Sequence, residues 1–226
     1  MTDAVALFGK APVAGLVKTR LTPPLTPEEA ATIARASLED TLRRFPPRVP
    51  TAWTLFLDGD ADAAIEAGAD AAGVRLLSQG AGDLGVRLAT AFARLRAEGA
   101  ACVVAVGTDS PTLDPALIGG GLAALRDSDV VIGPAQDGGY YLIGAGPGVD
   151  VAALFRAIPW STGAVARVTE ERARALGLKV ARLPEWYDLD DAAALRRAAA
   201  DPALAECPSL ARAILGLSTR LSTSPA

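Results

Sequence analysis

The sequence predicts an α/β fold, a three-layer α/β/α arrangement around a mostly parallel sheet of about seven strands. Three observations predict it. Short apolar runs rich in β-branched residues alternate with longer Ala/Leu/Arg stretches at helical spacing, the pattern of strands joined by covering helices. The chain has 226 residues and 50% hydrophobic content, enough to bury a core unaided. Helix-start signals fall between the runs. Thr26-Pro27-Glu28-Glu29 offers an N-cap, a proline in the first turn and two acids beside the helix N-terminus, and Asp114-Pro115 repeats the device.

Taken in chain order, an apolar run at 4–8 predicts the first strand, and the capped stretch 27–44 the first helix. The rigid connector Pro46-Pro47-Arg48-Val49-Pro50 leads to a strand at 51–57 and a helix at 61–69. A strand at 74–77, a helix at 83–96 and a fully apolar strand at 101–106 follow, then the Pro115 helix to residue 125. Strands at 130–133 and 140–143 flank an Asp-Gly turn signal, and a helix at 165–176 precedes a strand at 179–183. Helices at 191–199 and 209–215 complete the pattern. Residues 1–217 are expected to form a single domain and the Ser/Thr-rich 218–226 a frayed tail.

Composition narrows the chemistry. Lys and Arg number 22 against 26 Asp and Glu, a net charge of -4, which argues against coating nucleic acid through a general positive field. There is no histidine, which excludes Ser-His-Asp and Cys-His nucleophiles, HExxH zinc sites and any imidazole acid or base. A metal here is expected on carboxylates, favouring Mg2+, Mn2+ or Ca2+ over zinc. Cys102 lies within an apolar run, far from Cys207, so no disulfide is expected. With no signal region and no span-length apolar stretch, the expectation is a cytoplasmic protein without a membrane span, as monomer or homodimer.

Four segments carry chemistry. The first strand runs into Gly9-Lys10-Ala-Pro12-Val-Ala-Gly15-Leu-Val-Lys18-Thr19-Arg20-Leu21, and residues 1–27 hold a net +2 in an acidic chain. A basic loop at a strand's carboxyl end is where an open α/β sheet binds phosphates, although Gly15 and Lys18 are too far apart for a P-loop. Gly107-Thr108-Asp109-Ser110-Pro111 ends a buried strand and delivers a carboxylate to the same edge. Asp114 already serves the next helix as cap, which leaves Asp109 free to be a ligand and not only a turn residue. In Gly133-Pro134-Ala-Gln136-Asp137-Gly138-Gly139-Tyr140-Tyr141 the glycines allow backbone amides to approach a ligand and Asp137 to contact hydroxyls; a plain hairpin turn explains the same residues, and both can hold. In Trp186-Tyr187-Asp188-Leu189-Asp190-Asp191, two carboxylates at i and i+2 of an extended chain face one side, so Asp109 with Asp190 or Asp188 would close a pair around one magnesium; Asp190 as a mere N-cap is the alternative. Trp160, Ser161 and Thr162 suit an acceptor pocket or a helix cap equally. Gly80-Ala-Gly82-Asp83-Leu84-Gly85 matches GxGxxG and raises a dinucleotide-binding oxidoreductase, but it follows the third strand and leaves the basic loop and the late acids unexplained.

Together these segments resemble the A-type glycosyltransferase-like proteins, also called radical-SAM/selenodomain-associated transferases. The resemblance rests on Lys10-x-Pro12-x-x-Gly15-x-x-Lys18-Thr19-Arg20-Leu21, Gln79-Gly80-x-Gly82-Asp83-Leu84-Gly85-x-Arg87, Gly107-Thr108-Asp109-Ser110-Pro111, Gly133-Pro134-Ala-x-Asp137-Gly138-Gly139-Tyr140-Tyr141 and Pro159-Trp160-Ser161-Thr162. Val13-Ala14 and Val86 depart from the usual pattern. The resemblance implies the nucleotide-diphospho-sugar transferase fold, with the nucleotide across the carboxyl ends of the strands. The basic loop and a single Asp-Ser-Pro look more like small nucleotidyltransferases than like glycosyltransferases, which more often carry Asp-x-Asp there.

The expectation is therefore a Mg2+- or Mn2+-dependent transferase that takes a nucleotide or nucleotide sugar and a small-molecule acceptor. Nucleotidyl transfer from a triphosphate to a phosphorylated acceptor leads, and glycosyl transfer is the alternative. Lys10, Lys18, Arg20 and Asp137 are the expected catalytic residues. Nucleotide binding falls to Gly9, Gly15, Lys18, Arg20, Gln79, Gly80, Asp83, Arg87 and Thr108; acceptor binding to Asp137, Gly138, Gly139, Tyr140, Trp160, Ser161 and Thr162; and metal binding to Asp109, Asp190 and Asp188.

Overall fold

In the structure, a computed structural model that describes residues 2–217, seven strands form one sheet in the order β3-β2-β1-β4-β6-β5-β7. They are β1 (Thr2–Lys10), β2 (Ala52–Asp58), β3 (Arg75–Ser78), β4 (Ala100–Gly107), β5 (Val130–Pro134), β6 (Tyr140–Ala145) and β7 (Val180–Arg182). Every pairing is parallel except those of β6, which runs antiparallel to both β4 and β5. The helices are α1 (Pro27–Arg44), α2 (Ala63–Ala71), α3 (Leu84–Ala97), α4 (Pro115–Ala124), α5 (Val151–Leu154), α6 (Val165–Ala175), α7 (Ala192–Ala200) and α8 (Pro208–Gly216). The expected tail at 218–226 lies outside the described residues.

Each predicted strand and helix is present, and the boundary shifts have physical causes. Asp62, Asp83 and Asp191 accept the free N–H groups of α2, α3 and α7 as N-caps, so α3 and α7 start one residue, and α2 two residues, later than expected. Thr26 and Glu29 form the reciprocal capping box at the head of α1. The four-residue α5, capped by Asp150, is too short to leave a periodic signal and was not anticipated.

Side chains alternate across β1. Val5 and Leu7 join Leu38, Leu42, Leu55 and Leu142 on one face of the sheet, while Ala4 and Ala6 join Phe56, Leu88, Phe92 and Ile143 on the other. α1 also contributes Ile33 and Ala36 to a third cluster with Tyr187, Leu189, Leu195 and Leu210, which seats α7 and α8. Arg44, itself buried, donates to the carbonyls of Pro111 and Leu113 and to Glu206, tying the end of α1 to the chain that follows β4.

This topology decides where chemistry can sit. Parallel registry sets Lys10 beside Asp58 and Phe8 beside Gly107, so β1, β2 and β4 end at one edge. Because β6 is reversed, its first residue, Tyr140, lies beside Pro134 at the end of β5. The order also departs from the 3-2-1-4-5-6 arrangement of the dinucleotide-binding fold.

Phe92 is fully buried and stands edge-on to Phe155 at 5.9 Å. Phe92→Ala should therefore cost about 3–5 kcal/mol. A urea midpoint lowered to match, with unchanged slope, is the expected result.

Candidate active site

The carboxyl edge of the sheet opens into a cleft of about 800 Å³, within the range of small-molecule sites. Its walls bring together residues from every segment singled out in the sequence: Gly9, Lys10, Lys18, Thr19 and Arg20; Gly82, Asp83 and Arg87; Thr108 and Asp109; Asp137 and Tyr140; Trp160 and Ser161; and Asp190.

The loop after β1 is shaped by its backbone. Ala11 N–H donates to the Asp58 carbonyl at 2.8 Å, and Leu16 N–H to that of Val13 at 3.0 Å. Gly15 takes a φ of +80° in open space, so it serves a turn and does not line the cleft. Lys18 takes a left-handed φ of 49°, which costs a side-chain-bearing residue about 1–2 kcal/mol. That turn directs its side chain inward. The Lys18 side chain is only 3% exposed, and its ammonium pairs with the carboxylates of Asp109 and Asp190, the latter at 3.1 Å. Burial pulls the Lys18 pKa down, but the two carboxylates more than offset it, and the net direction is upward. Lys10 and Arg20 stay exposed and, among the described residues, have no carboxylate partner.

Asp109 follows β4 and is stapled to the late acidic segment. Leu189 N–H donates to the Asp109 carbonyl at 2.9 Å, and Ser110 Oγ lies within hydrogen-bond reach of the Tyr187 carbonyl at 3.0 Å and of the Asp188 carboxylate. The Tyr187 hydroxyl is fixed in turn by Thr112 and Asp201. Asp190 does not cap the helix, because Asp191 does; its carboxylate is 40% exposed and faces Lys18.

Several expected contacts are corrected by the geometry. Asp190 N–H bonds back to the Asp188 carbonyl, so the chain is turned and not extended there, and the two side chains diverge. Asp188 points inward to Ser110 and does not line the cleft, so it is not brought together with Asp109 and Asp190 there. Gln79 borders the cleft, and its amide donates to the carbonyls of Gly9 and Phe56 and accepts from Arg87, so it also ties β1, β2 and α3 together. Asp83 caps α3. Gly138 is wedged against the backbone of Gly163, and Thr162 bonds to Pro159 and Ala164, so both are turn residues; Gly80 and Gly139 also stand outside the lining. Gly82 and Gly85 of the GxGxxG match serve local packing, against Val86 and against Phe155 and Trp160.

Other residues escaped the sequence reading. Asp58 ends β2 as Asp109 follows β4, and its carboxylate holds Arg87 at 2.7 Å; the strand-end signal was present but not used. Leu16 and Leu84, both exposed, line the cleft. On the opposite side Trp160 stands edge-on to Tyr140 at 6.4 Å, and Ser161 beside it holds a left-handed φ of 62°. Asp137 sits on the β5–β6 turn, where its Oδ1 accepts from Gly139 N–H while its side chain borders the cleft; turn and cleft roles coincide.

Among the described residues, no group of three or more Cys, Asp or Glu side chains is arranged to hold a metal ion alone, and no helix is long and apolar enough to cross a membrane. Two carboxylates from different elements nevertheless converge on one cation, here the Lys18 ammonium. That donor set fits a hard divalent cation, since magnesium is commonly held by one or two carboxylates together with substrate phosphates.

The fold is that of the nucleotide-diphospho-sugar transferases. A Desulfovibrio desulfuricans G20 protein, provisionally described as a nucleotide-diphospho-sugar transferase, is 29% identical, with 98% of each chain covered and a TM-score of 0.87. CMP:2-keto-3-deoxy-manno-octonic acid synthetase, solved with CTP, is similar in fold at 15% identity, with 88% of this chain and 98% of that one covered and a TM-score of 0.53. A Mycobacterium tuberculosis H37Rv protein solved with manganese matches at 17% identity, 87% and 97% coverage and a TM-score of 0.50. No curated protein sequence matches. Residues 41–162 match the family described as uncharacterized protein conserved in bacteria (DUF2064), and the chain belongs to that family.

Burial raises the Asp188 pKa from 3.8 to about 6; Ser110 opposes the shift, and the charges of Asp109, Asp190 and Asp137 add to it. The folded state thus holds this proton more tightly than the unfolded chain. The resulting stabilisation is complete below the unfolded value and lost as pH rises through about 6. Relative to Asp188→Asn, the wild-type protein should lose about 2–3 kcal/mol between pH 3.5 and pH 7. Urea titrations across that range check it; a pH-independent difference would remove burial as the cause.

Proposed function

We propose that the chain transfers a nucleotidyl group from a nucleoside triphosphate to a small phosphorylated acceptor, with Mg2+ or Mn2+. One observation carries the reading: Lys10, Lys18, Arg20, Asp109 and Asp190, from separate segments, line one cleft at the carboxyl edge of the sheet. In this reading residues 1–217 act as one catalytic unit in the cytoplasm, and the -4 net charge sets nucleic acid aside as partner. The 29% identical structure and the CTP complex of similar fold support a nucleotide substrate, and the manganese complex supports a divalent metal.

The chemistry suits this residue set. An acceptor phosphate oxygen attacks the α-phosphorus, the bond to the bridging oxygen breaks, and pyrophosphate leaves. That exchange demands neutralised charge and alignment but no strong base, and the chain has no histidine to provide one. Asp109 and Asp190 would hold the metal, which when bound neutralises phosphate charge and aligns the chain of phosphates. Arg20 and Lys18 meet the leaving pyrophosphate, and Lys10, on the other side of the loop, the α-phosphate. Thr108 packs against Gly9 beneath them, leaving the phosphates room above the strand ends. Asp137, Tyr140, Trp160 and Ser161 face the acceptor.

Glycosyl transfer is the second reading, favoured by the exposed Asp137 carboxylate at the rim, which is placed to take a proton from an acceptor hydroxyl. Thermal shift with nucleoside triphosphates, sugar nucleotides and NAD, each with and without Mg2+, separates the readings. Metal-dependent stabilisation by one triphosphate, lost in Asp109→Ala, is expected. Stabilisation by sugar nucleotides alone would replace nucleotidyl with glycosyl transfer, and a metal-independent response to NAD would sink both.

Loss of a charged contact is worth about 1.5–3 kcal/mol, so Lys10→Ala and Arg20→Ala should each weaken triphosphate binding about tenfold to a hundredfold. In turnover assays Asp137→Asn should raise the acceptor KM while preserving most of kcat. Abolished kcat at saturating acceptor would favour the glycosyl reading.

A further inference from the structure

We infer that the Lys18 ammonium and a divalent cation are alternative occupants of the position between Asp109 and Asp190, and that the phosphates of the nucleotide decide between them. The inference rests on the metal-nucleotide reading of this cleft and adds an order of events: the chain takes its nucleotide as the metal complex and does not first collect the metal.

Three observations carry it. The ammonium contacts both carboxylates at once, and its own side chain is 3% exposed where theirs are 52% and 40%. An incoming ion therefore meets carboxylates that are open to solvent but already committed to an inner positive charge. Lys18 also reaches this place through a left-handed backbone turn, while Lys10 and Arg20, the other cations of the loop, remain at the exposed rim. The loop thus sets one of its three cations apart for the acids. Finally, the trio of Lys18, Asp109 and Asp190 carries a net charge of only -1, so a bare divalent ion meets little net attraction and an ammonium within contact distance of its ligands. Phosphate oxygens change that balance. They offer the ammonium strong acceptors of its own and release both carboxylates, and the ion arrives already bound to those same phosphates.

The composition supplies a clean probe, because Lys10, Lys18 and Lys179 are the chain's only lysines, and Lys10 and Lys179 are exposed. The full-length protein carrying 13C at the lysine ε-carbons should give three signals, with that of Lys18 assigned as the one absent from Lys18→Met. Millimolar Mg2+ alone should leave the Lys18 signal in place, whereas Mg2+ with the triphosphate that stabilises the protein should move it. In parallel, Mn2+ binding without nucleotide, followed by electron paramagnetic resonance, should be at least tenfold tighter in Lys18→Met than in wild type. A Lys18 signal that shifts with Mg2+ alone, or equal Mn2+ affinity in the two proteins, would overturn the inference. If Lys18→Met does not fold, signals assigned through Lys10→Arg and Lys179→Arg leave the Mg2+ test on the wild-type protein decisive. A protein that no triphosphate stabilises would defeat the nucleotidyl reading of the cleft, while the metal-only measurements still decide whether Lys18 bars the ion.

Discussion

A single buried ammonium, shared by two carboxylates, holds the cleft together. Lys18 belongs to the loop after β1, Asp109 to the end of β4 and Asp190 to the approach to α7, so one side chain joins segments 172 residues apart. The cost of desolvating the ammonium offsets its attraction to the two partly solvated carboxylates, so such a pair says more about geometry than about stability. Its specificity is what matters. The arrangement of the loop that seats this charge leaves Lys10 and Arg20 exposed at the cleft.

The same convergence depends on the sheet. Parallel β1, β2 and β4 deliver their last residues to one edge, as in any open α/β sheet that binds a ligand there. Reversal of β6 brings the Asp137 turn and Tyr140 to that edge from the other half of the sheet, between β4 and β5. A uniformly parallel strand at this place would start at the opposite edge and carry its leading turn away from the cleft. The cleft therefore has a cationic wall from the first loop and an aromatic wall from the β5–β6 turn and Trp160, with the Asp109–Asp190 pair between them.

Much of this was legible in the sequence, and the reasons are local. Strands and helices announced themselves through apolar period and caps, and aspartate caps account for the shifted starts of α2, α3 and α7. The site segments were legible because chemistry-bearing residues followed buried runs directly, as Asp109 follows Val103–Val106. What was not legible depends on contacts between distant residues. Nothing near Gln79 in sequence tells that its amide is consumed by Gly9 and Phe56, and nothing near Lys18 tells that it is buried. Asp188 and Asp190 looked alike in sequence; one backbone hydrogen bond between them turns the chain and sends one carboxyl inward to Ser110. The family match at 41–162 includes Asp109 but not the basic loop or Asp190.

Arg44 gives the C-terminal helices a stake in the cleft that their distance from it conceals. Its guanidinium grips the carbonyls of Pro111 and Leu113, just beyond Asp109, and is itself braced by Glu206 beside α8, while the buried Cys207 thiol donates to the Pro111 carbonyl at 3.3 Å. For protein engineering, the last two helices are therefore foundation and not ornament. A shortened version that keeps every cleft residue would still have lost the masonry beneath one of its carboxylates.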